Sequence, residues 1–324
     1  MSEGRRNAPV GVVVGYDGSW SAEVAVTRAA DEAVRRRTRL AVASVFPCGE
    51  PPPGELRAEE AERSLREVVA RVRRRRPGLM VTAHRATGDA AAGLRDVAER
   101  AVVLVVGSRG VGSEGVYGAT VVPVRRPGPT VPGLGGVARD VLRVAGVPVL
   151  VVPETDRPAA SHRPPLVVAA VDHDESAGAV LHAALEEAAR REGRVRLLHS
   201  YAERPTGAAL HRARAFSRDL VREVAPGGAA ITAVVTPEPA AVALARHAVD
   251  ADLLAVGVRG PMSRAVTDAV PCNLLVMTSR ASRRLVPQPR PAVPSVPRLP
   301  SARVPDELVA RARARQASPA RARP

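Results

Sequence analysis

The stretch Val12-Val13-Val14-Gly15-Tyr16-Asp17-Gly18-Ser19 is an apolar run closed by an aspartate, and it has a companion in Val103-Leu104-Val105-Val106-Gly107-Ser108-Arg109-Gly110. The pairing returns as Val167-Val168-Ala169-Ala170-Val171-Asp172 and Leu253-Leu254-Ala255-Val256-Gly257-Val258-Arg259-Gly260. Asp17 and Gly107 are 90 residues apart, Asp172 and Gly257 are 85, so the two copies nearly keep step. Short Val-rich runs bounded by turn residues are the pattern of strands buried on both faces. A strand ending in an acid, beside one ending in Gly-x-x-Gly, can face one nucleotide from two sides.

Around these runs, strand and helix patterns alternate. In the first half the periodicity predicts strands at 10–16, 40–46, 79–85, 101–106 and 147–152, with helices at 19–37, 55–76, 89–100 and 136–145. The second half predicts strands at 166–171, 195–200, 230–235, 252–256 and 273–277, with helices at 176–192, 207–224, 238–249 and 261–270. Alternation of this kind implies an α/β fold: two tandem open, parallel five-stranded sheets with helices on both faces, Rossmann-like in build. The expected domains are 1–153, with a loop insertion at about 111–134, and 165–278, joined by a proline-bearing linker at 153–165. From Ser279 onward, prolines at 287, 289, 291, 294, 297 and 300 argue against a packed element, so 279–324 is expected to be a disordered basic tail.

The chain has 324 residues, 45% of them hydrophobic and 2% aromatic, so its cores must be built from Val, Ala and Leu. The apolar run 144–152 is about half a membrane span, and the short N-terminal run ends at Asp17 without a signal-peptide pattern, so a cytoplasmic chain without membrane contact is expected. Cys48 and Cys272 fall in different halves and match no metal spacing, which points to free thiols. Of the net charge of +15, more than half lies in 280–324, where eleven arginines face only Asp306 and Glu307. Every basic residue is arginine. Nucleic-acid contacts through the tail would use arginines on phosphates; a GC-rich genome that writes Arg for Lys is the plainer source.

Val14-Gly15-Tyr16-Asp17-Gly18-Ser19, Thr87-Gly88-Asp89-Ala90, Leu104-Val105-Val106-Gly107-Ser108-Arg109-Gly110 and the closing Val147-Pro148-Val149-Leu150-Val151-Val152 together resemble the universal stress protein family. Ser263-Arg264-Ala265-Val266 and Val270-Pro271-Cys272-Asn273-Leu274-Leu275-Val276 are similar to the family's last helix and strand, which makes the chain look like a tandem member. The resemblance implies a stress-response regulator that binds ATP or a related adenine nucleotide, with Mg2+ as its companion, rather than an enzyme. In that family, nucleotide binders carry Gly-x-x-Gly, nine residues, then Gly before Ser or Thr. Carried onto this chain, the implied nucleotide-binding residues are Gly15, Asp17, Val45, Gly107, Ser108, Arg109, Gly110, Gly112, Gly135 and Gly136. Glycines let backbone N–H groups approach phosphates, and the next helix presents its positive end to them.

The chain departs from that pattern in its phosphate loop. Between Gly110 and Gly135 lie 24 residues, 15 more than the family spacing, and Gly136 has no hydroxyl. The alternative anchor Gly118-Ala119-Thr120 fails because Val121-Val122-Pro123-Val124 cannot start a helix. The insertion, with Arg125 and Arg126, is either a lid over the phosphates or a tolerated loop. The second half has no such loop, since Gly260 runs straight through Pro261-Met262-Ser263 into the predicted helix. Its degenerate site retains Asp172, Gly257 and Gly260, and Asp172 reads either as a helix cap or as a ligand group.

No catalytic residue and no metal site can be named: the seven histidines show no ligand spacing, and none pairs with a nucleophile. His199 reads as a packed strand end, and Arg73 to Arg76 as a solvated helix end that complements the helix dipole. Two functional readings stand, ahead of a weaker third, ATP hydrolysis, for which the sequence names no water-activating residue. One is a nucleotide-binding regulator with at most one site, in the first half. The other is a degenerate module that binds no nucleotide and acts through protein or nucleic-acid contacts. The family also pairs domains through final strands, so 147–152 and 272–277 could meet within one chain, or copies could meet as a homodimer.

Overall fold

The computed structural model describes residues 11–46, 54–109, 134–154, 164–201, 206–227, 230–260 and 272–285. In the first half the elements are β1 (Gly11–Gly15), α1 (Trp20–Arg35), β2 (Arg39–Phe46), α2 (Gly54–Arg75), β3 (Val81–Thr87), α3 (Ala90–Val97), β4 (Val103–Gly107), α4 (Gly136–Val144) and β5 (Val149–Val152). The second half runs β6 (Leu166–Val171), α5 (Ala177–Arg190), β7 (Arg194–Ser200), α6 (Gly207–Val224), β8 (Ile231–Thr236), α7 (Ala240–His247), β9 (Leu253–Gly257), β10 (Asn273–Met277) and α8 (Ser279–Leu285). The expected insertion 111–133, the predicted helix 261–270 and the chain from 286 onward lie outside the described residues.

The ten strands form one sheet in the order β3-β2-β1-β4-β5-β10-β9-β6-β7-β8. Within each half every neighbouring pair is parallel, as the alternating pattern implied. The halves join edge to edge through the antiparallel pair β5–β10, with Val149 opposite Val276, Leu150 opposite Leu275 and Val151 opposite Leu274. This joint removes two apolar edges that would otherwise offer unpaired backbone to another chain. The outer edges are more polar: β3 exposes Thr82 and Arg85, and β8 exposes Thr232.

Side chains alternate across the strands. Val12, Val14, Leu40 and Val42 pack with Ala25 and Ala29 of α1 and Val68 of α2 on one face. Val13, Ala41, Ala43 and Leu104 pack with Leu94 of α3 and Val141 of α4 on the other. The second half repeats the arrangement, with α5 and α6 on the first face and α7 on the second. Helix starts are fixed locally. The Ser19 hydroxyl accepts from Ala22 N at 3.1 Å, the Asp89 carboxylate from Ala92 N at 2.8 Å, and the Thr206 hydroxyl from Ala209 N at 3.2 Å.

The segment after Met277 corrects the expectation of an unstructured tail beginning at Ser279. Proline is absent until 287, and the Thr278 hydroxyl accepts from Ala281 N at 3.2 Å, so one short helix forms. Ala281 and Ser282 are buried, Ala281 within the core that α5 shares. Among the described residues, no helix is long and apolar enough to cross a membrane.

Candidate functional site

At the carboxyl ends of β1 and β4, the chain turns directly from Gly15 through Asp17 into α1. One Asp17 carboxylate oxygen accepts from Ser19 N at 3.0 Å, and Ser19 in turn caps α1. Gly107, the last residue of β4, lies against the first turn of α1. A Cβ there would stand 2.5 Å from Ser21 Oγ and 2.8 Å from the Ser21 backbone carbon and oxygen. Only glycine allows that approach. Ser21 is buried and its hydroxyl accepts from Arg109 N at 3.2 Å, which fixes the exit of β4 beside the start of α1.

The helix after the insertion is tied to the same place. Ser108 N donates to Val152 O and Gly135 N donates to Ser108 O, each at 2.8 Å. Gly135 is the N-cap of α4 and supplies no side-chain cap, while a Cβ on Gly136 would meet nothing within 4 Å. Among the described residues the start of α4 is therefore an uncrowded helix N-terminus next to the end of β4, where backbone N–H groups and the helix dipole favour an anion. Gly15 and Val45 sit deeper. A Cβ on Gly15 would be 3.0 Å from Leu94 Cδ1, and a Cβ on Gly93 would be 2.7 Å from Val45 Cγ1, so both positions are packed under α3.

The second half holds the matching strand ends differently. A Cβ on Gly257 would lie 2.4 Å from Ser176 Oγ, the counterpart of the Ser21 contact. Gly260 has φ of +98°, and a Cβ there would be 2.1 Å from Asp172 Oδ2, so the acid that ends β6 packs on the Gly260 backbone. The start of α5 is held instead by Asp174, whose Oδ1 accepts from Ser176 N at 2.8 Å and from the Ser176 hydroxyl at 2.7 Å. Asp174, two residues beyond Asp172, thus makes the contact with Ser176, while Asp172 lies against Gly260 at the end of β9.

The sequence model of the Universal stress protein family matches residues 11–153. Residues 11–153 belong to the universal stress protein family. A universal stress protein from Archaeoglobus fulgidus DSM 4304 superposes with a TM-score of 0.63 at 18% identity, over 83% of this chain and 98% of its own. A protein of unknown function from Pseudomonas aeruginosa PAO1 gives a TM-score of 0.55 at 18% identity, over 87% of this chain and 96% of its own. At that identity the likeness is one of fold, and its coverage takes in the second half. A universal stress protein solved in complex with cAMP is 27% identical over 46% of this chain and 100% of its own, with a TM-score of 0.32. No curated protein matches the sequence.

Within the universal stress protein domain, Asp17, Gly107, Ser108, Arg109, Gly135 and Gly136 lie about the ends of β1 and β4 and the start of α4. Gly15 and Val45 support that surface from below, and Gly110 and Gly112 lie outside the described residues. Sequence reading missed Ser21 and Ser176. Their signal was available: each stands four residues beyond its half's strand-end aspartate. His199 is buried, with Nδ1 3.1 Å from Val171 O and its ring 4.9 Å from that of Phe216. Burial lowers its pKa below the ordinary histidine value. Among the described residues, no three His, Cys, Asp or Glu side chains are grouped to hold a metal.

Proposed function

We propose that the universal stress protein domain binds one adenine nucleotide, ATP or a close relative, across the ends of β1 and β4, and that occupancy sets how the chain engages partners in a stress response. The carrying observation is the convergence at Ser21: Gly107 presses on its backbone while its hydroxyl holds Arg109 N. Support comes from Asp17 at the end of β1 and from the start of α4, whose Gly135 N is bonded to Ser108 O beyond β4. In this reading the α4 N-terminus takes phosphate and Asp17 faces the nucleoside hydroxyls, with Mg2+ entering bound to the phosphates. The second half is a structural partner, its strand-end acid spent on Gly260.

The test uses the full chain, denatured after purification and assayed for released adenine nucleotide, then titrated with ATP and with AMP by calorimetry. Asp17→Asn keeps the acceptor for Ser19 N while removing the charge, and Gly136→Ala fills open space without disturbing the fold. Both variants are expected to stay folded and to bind more weakly than the wild type. A folded wild type that neither carries nor takes up nucleotide sinks this reading in favour of a module that acts through other contacts.

A further inference from the structure

We propose that the amino end of the first-half strands is a docking surface for the phosphate backbone of a nucleic-acid duplex, built by Arg37, Arg39, Arg74 and Arg75. Three segments bring these residues to one end of the sheet. Arg37 follows α1, Arg39 opens β2, and Arg74 and Arg75 close α2 just before β3. Leu40 N donates to Met80 O, Leu79 N donates to Arg76 O, and Arg76 reaches Asp31 on α1 at 2.7 Å, so the helix ends and strand starts are bonded together. All four arginines are exposed. Among the described residues none of the four has a carboxylate partner, whereas the acids on the same helix end are engaged: Asp31 by Arg76, and Glu32 by Arg35, Arg36 and Arg191.

Cations at helix C-termini are ordinary, because they complement the dipole. The repeat supplies a test of that explanation inside one chain. Arg37 has φ of +49°, and the residue at the same turn of the second half is Glu192, with φ of +52°. The matching helix end there reads Arg222-Glu223-Val224 where α2 reads Arg73-Arg74-Arg75. The fold therefore builds this turn and this helix end equally well with acid and neutral side chains. Arg37, Arg74 and Arg75 of the first copy are therefore surplus to structure, while Arg39 has Arg194 at the matching strand start of the second.

Their chemistry selects the partner. Four guanidiniums present planar forks suited to phosphate oxygens. The same surface exposes Met80 and Val34, 65% and 49% accessible, and among the described residues no aromatic side chain on which an unpaired base could stack. That favours backbone contacts to a duplex, without base readout. The surface lies at the opposite end of the sheet from the candidate nucleotide site, so its variants leave that site intact.

The full chain is titrated against a short fluorescein-labelled duplex, prepared as DNA and as RNA, by anisotropy over a salt series. One variant carries Arg37, Arg39, Arg74 and Arg75 all changed to Gln; a charge-matched control carries Arg212, Arg214, Arg218 and Arg222 of α6 changed to Gln. The first variant is expected to flatten the log–log salt dependence by about 0.9 per lost phosphate contact, hence by roughly 3 to 4 for all four, while the control keeps the wild-type slope. Thermal melting confirms that both are folded. Equal losses in the two variants, or no loss in the first, overturn the proposal. So does tighter binding of polyglutamate than of either duplex, which would assign the surface to an acidic protein.

Discussion

Glu32 on α1 is paired with Arg191, the residue that caps the carboxyl end of α5, across the seam between the two halves. The reciprocal pair, Glu187 with Arg36, lies beside it. Glu32 and Glu187 each stand fifteen residues beyond their half's strand-end aspartate, and Arg36 and Arg191 each stand nineteen beyond it, so the contact is built from equivalent residues of the two copies. Both glutamates are buried, and each also holds the arginine four residues on that caps its own helix, Arg36 at 3.5 Å from Glu32 and Arg191 directly against Glu187. Four charges in one buried ring offset one another; a single deletion leaves an uncompensated charge.

Glu32→Ala is therefore expected to destabilise the chain by about 3–5 kcal/mol, the usual cost of breaking a buried pair from one side. Glu32→Leu combined with Arg191→Met should recover most of that loss, because desolvation disappears along with the attraction. Urea unfolding of the single and double variants measures both. A single variant as stable as the wild type would show that the ring contributes nothing.

Burial acts to raise the Glu187 pKa, but the guanidiniums of Arg191 and Arg36 outweigh it and hold it below the ordinary glutamate value. A depressed folded pKa stabilises the native state above the unfolded value of about 4.3, and that stabilisation is lost as pH falls through the lower folded value. Unfolding free energies measured from pH 7 downward should show a steeper acid limb for the wild type than for Glu187→Gln.

The two strand-end glycines should respond differently to alanine. At Gly107 the clash is with the Ser21 backbone as well as its hydroxyl, whereas at Gly257 the closest atom is the Ser176 hydroxyl, with Ser176 Cβ at 3.3 Å. Gly107→Ala and Gly257→Ala should each cost roughly 1–3 kcal/mol, as overpacking does. Adding Ser176→Ala is expected to rescue the second, and adding Ser21→Ala to leave the first largely uncorrected. Thermal denaturation of the four variants decides it.

The Tyr16 hydroxyl donates to Glu23 at 2.9 Å and lies 2.9 Å from Ser64 Oγ, tying β1 to α1 and α2. Burial is the main reason that its pKa is pushed up to about 12 from the ordinary value of 10.0. The native state keeps this proton more tightly than the unfolded chain does. Its contribution is full below the ordinary value and is lost as pH rises from there toward the folded value. Tyrosinate absorbance during an alkaline titration should show one group ionising late in the wild type, and that late step should vanish in Tyr16→Phe.

Much of the fold could be read in advance. Runs such as Val12–Val14 and Val103–Val106 can be stable only between two helical layers, and the spacing of Ala25, Ala29 and Ala33 marks one face of α1. Ser19 and Asp89 announce their helices by local capping chemistry. The candidate site was legible in part. Asp17, Gly107 and Gly136 stand out by residue type, while Ser21 looks like an ordinary first-turn serine until Gly107 is placed upon it. The short helix at Ser279–Leu285 was obscured because the prolines beyond it dominate the composition, though none lies inside it.

By itself the sequence determined the strand–helix alternation, the two copies and the burial of each apolar run, since these follow from periods of 2 and 3.6 residues and from local caps. Which surfaces meet was decided only in three dimensions. The antiparallel register of Leu150 with Leu275, the contact of Asp172 with Gly260 and the crossing of Glu32 to Arg191 join residues far apart in the chain. Local patterns state that a face is buried or that a charge needs a partner. Only the packed sheet, with α1 and α5 side by side over its central joint, names the partner.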